Sequence, residues 1–117
     1  MLLCTMITVA AQEQVRAMIQ YNKGFEMYTE ITFANFSFSG DTVTIIFKAH
    51  GKKHTSAAII DTTEQYDTRT VYKLDNGGIL RKYKDDGRMI YTSEKICKHK
   101  IENLLIITSP DTLNTDQ

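Results

Sequence analysis

The chain has 117 residues, the usual length of one domain, which can bury a core without disulfides or metal. Its 14 Lys and Arg residues balance its 14 Asp and Glu residues, so the total charge does not indicate a nucleic-acid-binding protein. No apolar stretch approaches the roughly 18 residues of a membrane-spanning helix, and the two cysteines, Cys4 and Cys97, are too few for a disulfide scaffold. We therefore expect a single cytoplasmic domain with free thiols and no membrane contact.

The first predicted element is an amphipathic helix over about residues 9 to 22. Side chains of one face recur there at spacings of three and four, Thr8 can cap the start, and Gly24 can end the helix. A helix with one apolar face needs a second surface to pack against. The positions of that face are Ala11, Val15, Met18, Ile19 and Asn22.

A β-hairpin is predicted next, in ITFANFSFSGDTVTIIFKAH, residues 31–50. A two-residue turn at Gly40-Asp41 brings apolar side chains into register on one face of the two strands. A slip of one residue would move all of them to the other face, so the pattern specifies this register. The facing pairs are Ala34 with Phe47, Phe36 with Ile45 and Phe38 with Val43.

The segment KAHGKKH, residues 48–54, predicts a second turn. A three-residue loop, Gly51-Lys52-Lys53, segregates polar and apolar side chains better than a two-residue turn at Gly51-Lys52, which would point His54 inward. The longer loop brings His50 across from His54 on the outer face, with Cβ atoms about 5 Å apart. It also pairs Phe47 with Ala57 and Ile45 with Ile59.

Further along the chain, Asn76-Gly77 and Asp86-Gly87 predict the two turns of a three-stranded meander. The second turn is expected to pair Asp85 with Arg88 and Tyr83 with Ile90. The last apolar run, IENLLIIT at residues 101–108, fits the spacing of a helix, but its β-branched residues favour a strand.

These elements predict an α+β fold, in which an N-terminal helix packs on a curved antiparallel β-meander of six or seven strands. A partly closed β-barrel is the alternative. Residues 1–110 would form the single domain, and residues 111–117 a frayed polar tail. The predicted core consists of Val15, Met18, Ile19, Ala34, Phe36, Phe38, Val43, Ile45, Phe47, Ala57 and Ile59.

All three histidines and one cysteine fall in two short clusters, residues 50–54 and 97–99, which are candidates for a metal site. Four N or S ligands suit zinc, but their spacing matches no zinc pattern and the surrounding lysines would repel a dication. No catalytic motif is present either, so a small nuclease or a zinc-stabilised module is only a lesser alternative. We expect no cofactor, no catalytic residue and no metal; the candidates set aside are His50, His54, Cys97 and His99.

A basic half of the chain points to a polyanion such as single-stranded nucleic acid. Residues 68–100 hold nine of the fourteen Lys and Arg residues and only four acidic residues. Their strands alternate cations with tyrosines, which can bind phosphates and stack on bases. A solvent-exposed sheet face normally carries the same residue types even when it binds no ligand. The candidate residues are Tyr72, Lys73, Arg81, Lys82, Tyr83, Lys84, Arg88 and Tyr91.

The outer side of the first hairpin points to protein association. Ile31, Phe33, Ile46 and Ile60 are expected there among polar neighbours, which is more apolar surface than a wet face needs. Unpaired strand edges could also bind a partner strand or a second copy of the chain. We therefore expect a small non-catalytic protein, an inhibitor, adaptor or assembly module of the kind found among accessory and phage proteins, with polyanion binding as the alternative.

Overall fold

The computed structural model describes residues 15–96 and 101–108, which form eight antiparallel strands closed into a barrel. Each strand pairs with its neighbours in sequence, and the last strand pairs with the first. No described helix is long and apolar enough to cross a membrane. The strands are β1 Val15–Lys23, β2 Glu26–Ser39, β3 Thr42–Ala49, β4 Lys52–Gln65, β5 Arg69–Leu74, β6 Ile79–Tyr83, β7 Met89–Ile96 and β8 Ile101–Thr108.

The α+β prediction is wrong, because the described part of the expected N-terminal helix is strand β1. Ala17, Ile19 and Tyr21 are fully buried at alternate positions, while Met18 lies between them with its side chain only partly buried. A period of two is the pattern of a strand with one face in the core. Residues 9–14 of the expected helix lie outside the described residues. The sheet is antiparallel, as predicted, but it has eight strands and closes fully.

The predicted β2–β3 hairpin is confirmed in its register. Phe38 pairs with Val43, Phe36 with Ile45 and Ala34 with Phe47 around the Gly40-Asp41 turn. Most of these side chains point into the barrel, where burying one large apolar side chain contributes about 1.5–3 kcal/mol. Phe38 is 40% exposed, so its predicted place in the core is wrong. The largest fully buried side chains are Tyr21, Tyr91, Phe47, Ile19, Ile45, Leu80, Leu104, Ile106 and Val43.

The predicted β3–β4 register is wrong. The turn is His50-Gly51, both with positive φ, of 56° and 78°, which suits the tight two-residue turns that join antiparallel strands. Phe47 therefore pairs with His54. This register turns Ala57 and Ile59 outward, and both are exposed rather than in the core.

The meander β5–β6–β7 lies where the turn residues predict it, but the expected β6–β7 register is wrong. Arg81, not Tyr83, pairs with Ile90, because residues 84–88 form a longer loop in which Gly87 N donates to Tyr83 O at 3.1 Å. The strand predicted for residues 101–108 is confirmed as β8. The tail at residues 111–117 lies outside the described residues.

Candidate binding face

Three of the four apolar residues expected on the outer wall lie there. Ile31 and Phe33 on β2 alternate with inward residues such as the fully buried Ala34, and Ile31 is 63% exposed. Ile46 is on the same side of β3, between the buried Ile45 and Phe47. The fourth, Ile60, packs against the core.

Strand β2 has an edge without a strand partner beside these side chains. Its residues 26–34 pair with β1, and its residues 34–39 pair with β3, so only Ala34 pairs on both sides. Over Glu26–Phe33, no described strand pairs with the side of β2 that faces β3. An unpaired strand edge presents backbone donors and acceptors to any chain that reaches it.

A shallow cleft of about 590 Å³ marks the place where β2 and β3 separate. One side of it comes from β2, and the other from the end of the β3–β4 hairpin. Its lining residues are Arg16, Glu30, Ile31, Thr32, Phe33, Lys48 and Gly51.

Three cations and one aromatic ring lie side by side across four strands of the outer wall. Arg16 pairs with Phe33, and the Lys48 ammonium lies 6.0 Å from the centroid of the Phe33 ring. Lys48 in turn pairs directly with Lys53. We call Arg16, Phe33, Lys48 and Lys53 the basic row. The two ion pairs in the described part of the chain, Lys73–Glu64 and Arg88–Asp86, lie elsewhere.

The side chain of Glu30 connects β1 with the end of the β3–β4 hairpin. Its Oε2 accepts a hydrogen bond from Tyr21 Oη at 2.6 Å and another from His50 N at 2.9 Å. The His50 ring also lies edge-on to Tyr28, with centroids 5.2 Å apart. These contacts tie the hairpin end to side chains of β2 where the two strands no longer pair, and they involve no backbone group of the β2 edge.

Burial, and then the hydrogen bond and charge of Glu30, raise the pKa of Tyr21 far above its ordinary value. The phenol is therefore neutral at ordinary pH and donates to the carboxylate. Tyr21 is fully buried, so its hydroxyl stabilises the fold rather than touching a bound molecule.

The two described histidines do not form a site. His50 is in the turn, whereas His54 is 5% exposed and stacks on Phe47 inside the barrel, with ring centroids 5.0 Å apart. The expected pairing of His50 with His54 on the outer face is therefore wrong. Within residues 15–96 and 101–108, no group of three or more His, Cys, Asp or Glu residues could hold a metal ion. Cys97 and His99 lie outside the described residues.

The residues expected to bind a polyanion do not share one face. Tyr91 is fully buried, and Tyr72 packs against the core, where its ring lies 5.3 Å from that of Phe38. The alternation of the strands puts Lys73, Arg81 and Tyr83 on the outer wall, where Lys73 forms an ion pair with Glu64 at 3.2 Å. Lys82 is on the inward side of its strand, as Leu80 is, but its side chain is exposed. Lys84 is exposed as well. The Arg88 guanidinium lies over the Tyr83 ring, 5.2 Å from its centroid.

A second row of rings and guanidinium groups lies around Tyr83. Arg69 pairs with Tyr83 and lies 4.7 Å from the centroid of the Tyr66 ring. Tyr66, Arg69, Tyr83 and Arg88 thus alternate, and we call them the tyrosine–arginine row. Sequence reasoning missed Tyr66 and Arg69, since the row depends on the β5–β6 register.

Sequence reasoning also missed the basic row. Lys48 could have been found, because it follows the confirmed hairpin register two residues after Ile46. Arg16 was hidden by the helix expected for residues 9–22, and Lys53 by the wrong β3–β4 turn. A scan of family models and searches of curated proteins and solved structures found no match to this chain.

Proposed function

We propose that this protein is a small non-catalytic binding module whose interface is the outer wall of β2 around Ile31 and Phe33. The observation that carries the proposal is the 63% exposure of Ile31 beside an unpaired strand edge. An exposed apolar side chain is ordinary when it stands alone. On this strand it is joined by Met27, 61% exposed, and by Phe25 in the adjoining turn.

Apolar outward residues also continue across the wall on the other side of β2. Ile31 pairs with Met18, Met18 with Ile107, and Ile107 with Ile90. All four have outward parity, so an apolar strip crosses β2, β1, β8 and β7 at one level of the barrel. Such a strip supports protein contact more than solvation, because a wet face needs polar side chains at these positions.

Site-specific photo-crosslinking tests the proposal. A photoreactive phenylalanine analogue replaces Ile31 in one variant and the exposed Thr62 of β4 in a matched control, each expressed in the native cell. We expect adducts of defined mass at position 31 that disappear when Phe33→Asp is added, and no such adducts at position 62. Equal labelling at both positions, or adducts unaffected by Phe33→Asp, would contradict the proposal.

Polyanion binding is a second candidate, supported by the tyrosine–arginine row. Alternating rings and guanidinium groups suit stacked bases and phosphates. The guanidinium groups already lie over both rings, however, which leaves less ring surface for a base. If this candidate is correct, a labelled single strand binds more weakly as salt rises, and Arg69→Ala with Arg88→Ala removes the binding.

A further inference from the structure

The basic row carries more positive charge than its described surroundings neutralise. Lys48 and Lys53 are both exposed and directly opposite each other. Like charges at facing positions destabilise an antiparallel pair. Glu30 is the acidic residue of the adjoining cleft, and its Oε2 already accepts hydrogen bonds from Tyr21 and His50. A bound anionic group beside Phe33 would relieve this repulsion.

The unpaired edge of β2 sets the shape of such a partner. An extended chain can add to a free edge through its backbone, and its side chains then alternate between the outer and the inner face of the barrel wall. Outward positions recur every two residues, so a side chain beside Phe33 and another beside Ile31 are two residues apart in the partner as well. The edge thus selects an extended partner, and the side chains select its sequence.

Building on the function proposed above, we propose that the partner is an extended protein segment that adds to the free edge of β2. It places an acidic side chain between Arg16 and Lys48, beside Phe33, and an apolar side chain beside Ile31. Backbone hydrogen bonds supply affinity without sequence preference. The basic row then selects acidic segments over basic ones.

Two other occupants fit the same face less well. A second copy of the chain would bring its own basic row, with the same excess of cations. Single-stranded nucleic acid needs several stacking platforms, and Phe33 is the one ring of the row. Ile31 and Met27 can neither bind phosphates nor stack on bases as aromatic rings do, whereas they can pack against the apolar side chains of a protein segment.

Fluorescence anisotropy with designed peptides tests this inference. The probe is a labelled octapeptide, Glu-Thr-Val-Thr repeated twice, and the control peptide has Lys in place of each Glu. We expect the acidic peptide to bind about tenfold tighter than the basic one. Arg16→Glu with Lys48→Glu should reverse this preference, whereas Lys84→Glu, at an exposed position of the β6–β7 turn, should leave it unchanged.

Three results would overturn the inference. The first is equal binding of the two peptides, or a preference that Arg16→Glu with Lys48→Glu does not change. The second is an oligothymidylate of equal charge that binds tighter than the acidic peptide and loses binding in the same variant. The third is a crosslinked adduct at position 31 of twice the chain mass. If position 31 crosslinks to another protein but the acidic and basic peptides bind equally well, the inference is rejected and the proposed interface is kept.

Discussion

At the scale of single residues, Gly78 shows how tightly the barrel closes over Tyr91. A Cβ atom added at Gly78 would lie 2.6 Å from Tyr91 Oη and 2.9 Å from Cε1. Tyr91 is fully buried, so its ring cannot swing away into solvent. The glycine is needed here for space, since its φ is not in the left-handed region.

Gly78→Ala should therefore lower the free energy of unfolding by about 1–3 kcal/mol, the usual cost of overpacking. Urea denaturation followed by tyrosine fluorescence measures the change. Adding Tyr91→Phe removes the nearest atom and should recover part of the loss. A Gly78→Ala variant as stable as the wild type would show that Tyr91 does not pack against this turn.

Tyr21 makes the fold sensitive to alkali. Its pKa is raised above the ordinary 10.0 in the folded state by burial, and further by Glu30, and returns to that value on unfolding. A raised pKa of this kind stabilises the fold fully below the unfolded pKa, and the contribution is lost as pH rises toward the folded pKa.

The free energy of unfolding should thus fall between about pH 9 and about pH 11, and fall less in Tyr21→Phe. Urea denaturation at several pH values measures both slopes. Part of the decline should remain in the variant, because burial raises the pKa of Tyr91 too. Equal slopes in the two proteins would mean that Tyr21 ionises normally in the folded state.

At the scale of elements, the β3–β4 hairpin decides which side chains face the core. The His50-Gly51 turn points His54 inward and Thr55 outward, while the three-residue loop expected from sequence reverses both. His54→Lys should cost at least about 2 kcal/mol, since it buries a charge in the barrel. Thr55→Lys should be nearly neutral, and thermal denaturation measures the stability of both variants. If Thr55→Lys were the more destabilising of the two, the three-residue loop expected from sequence would be correct.

The sequence contains enough information for the β2–β3 hairpin and not for β1. Gly40-Asp41 lies between two runs whose inward positions are all apolar, so turn and pattern agree on one register. In β1, Val15, Met18 and Ile19 satisfy the spacing of a helix, while Ala17, Ile19 and Tyr21 satisfy that of a strand. Only the barrel wall, which β1 completes between β2 and β8, decides between them.

The residues of the candidate site could be predicted only where the local sequence specifies the strand register. Ile31, Phe33 and Ile46 follow from the hairpin register and lie on the outer wall. Ile60 does not, because the two-residue β3–β4 turn gives it the inward facing of Ala58 instead of the outward facing that the three-residue loop predicts. The basic row combines residues from four strands. Predicting it requires the correct β1–β2, β2–β3 and β3–β4 registers together.

At the scale of the whole molecule, two long strands allow the barrel to close. β2 pairs with β1 along one half and with β3 along the other, and β4 divides in the same way between β3 and β5. Strands that pass from one part of a sheet to another form its corners. The cleft at the basic row lies at the β2 corner, where neighbouring strands diverge.

Closure itself is tested by joining β1 to β8. Met18 and Ile107 pair directly, at a separation that a disulfide can span. In a background with both native cysteines replaced by Ser, Met18→Cys with Ile107→Cys should oxidise to a monomeric crosslink, seen by mass spectrometry. Met18→Cys with Thr44→Cys is the matched control and should not crosslink. Failure of the first pair would contradict the closed barrel.

The most direct test of the binding face is a nuclear magnetic resonance titration of the isotopically labelled protein with the acidic octapeptide. We expect the largest amide shift changes at Ile31, Thr32, Phe33 and Lys48, around the cleft. We also expect slowed hydrogen exchange along the free edge of β2, because added backbone hydrogen bonds protect amides. Changes centred on the tyrosine–arginine row, or none at saturating peptide, would show that the acidic segment does not bind at this edge.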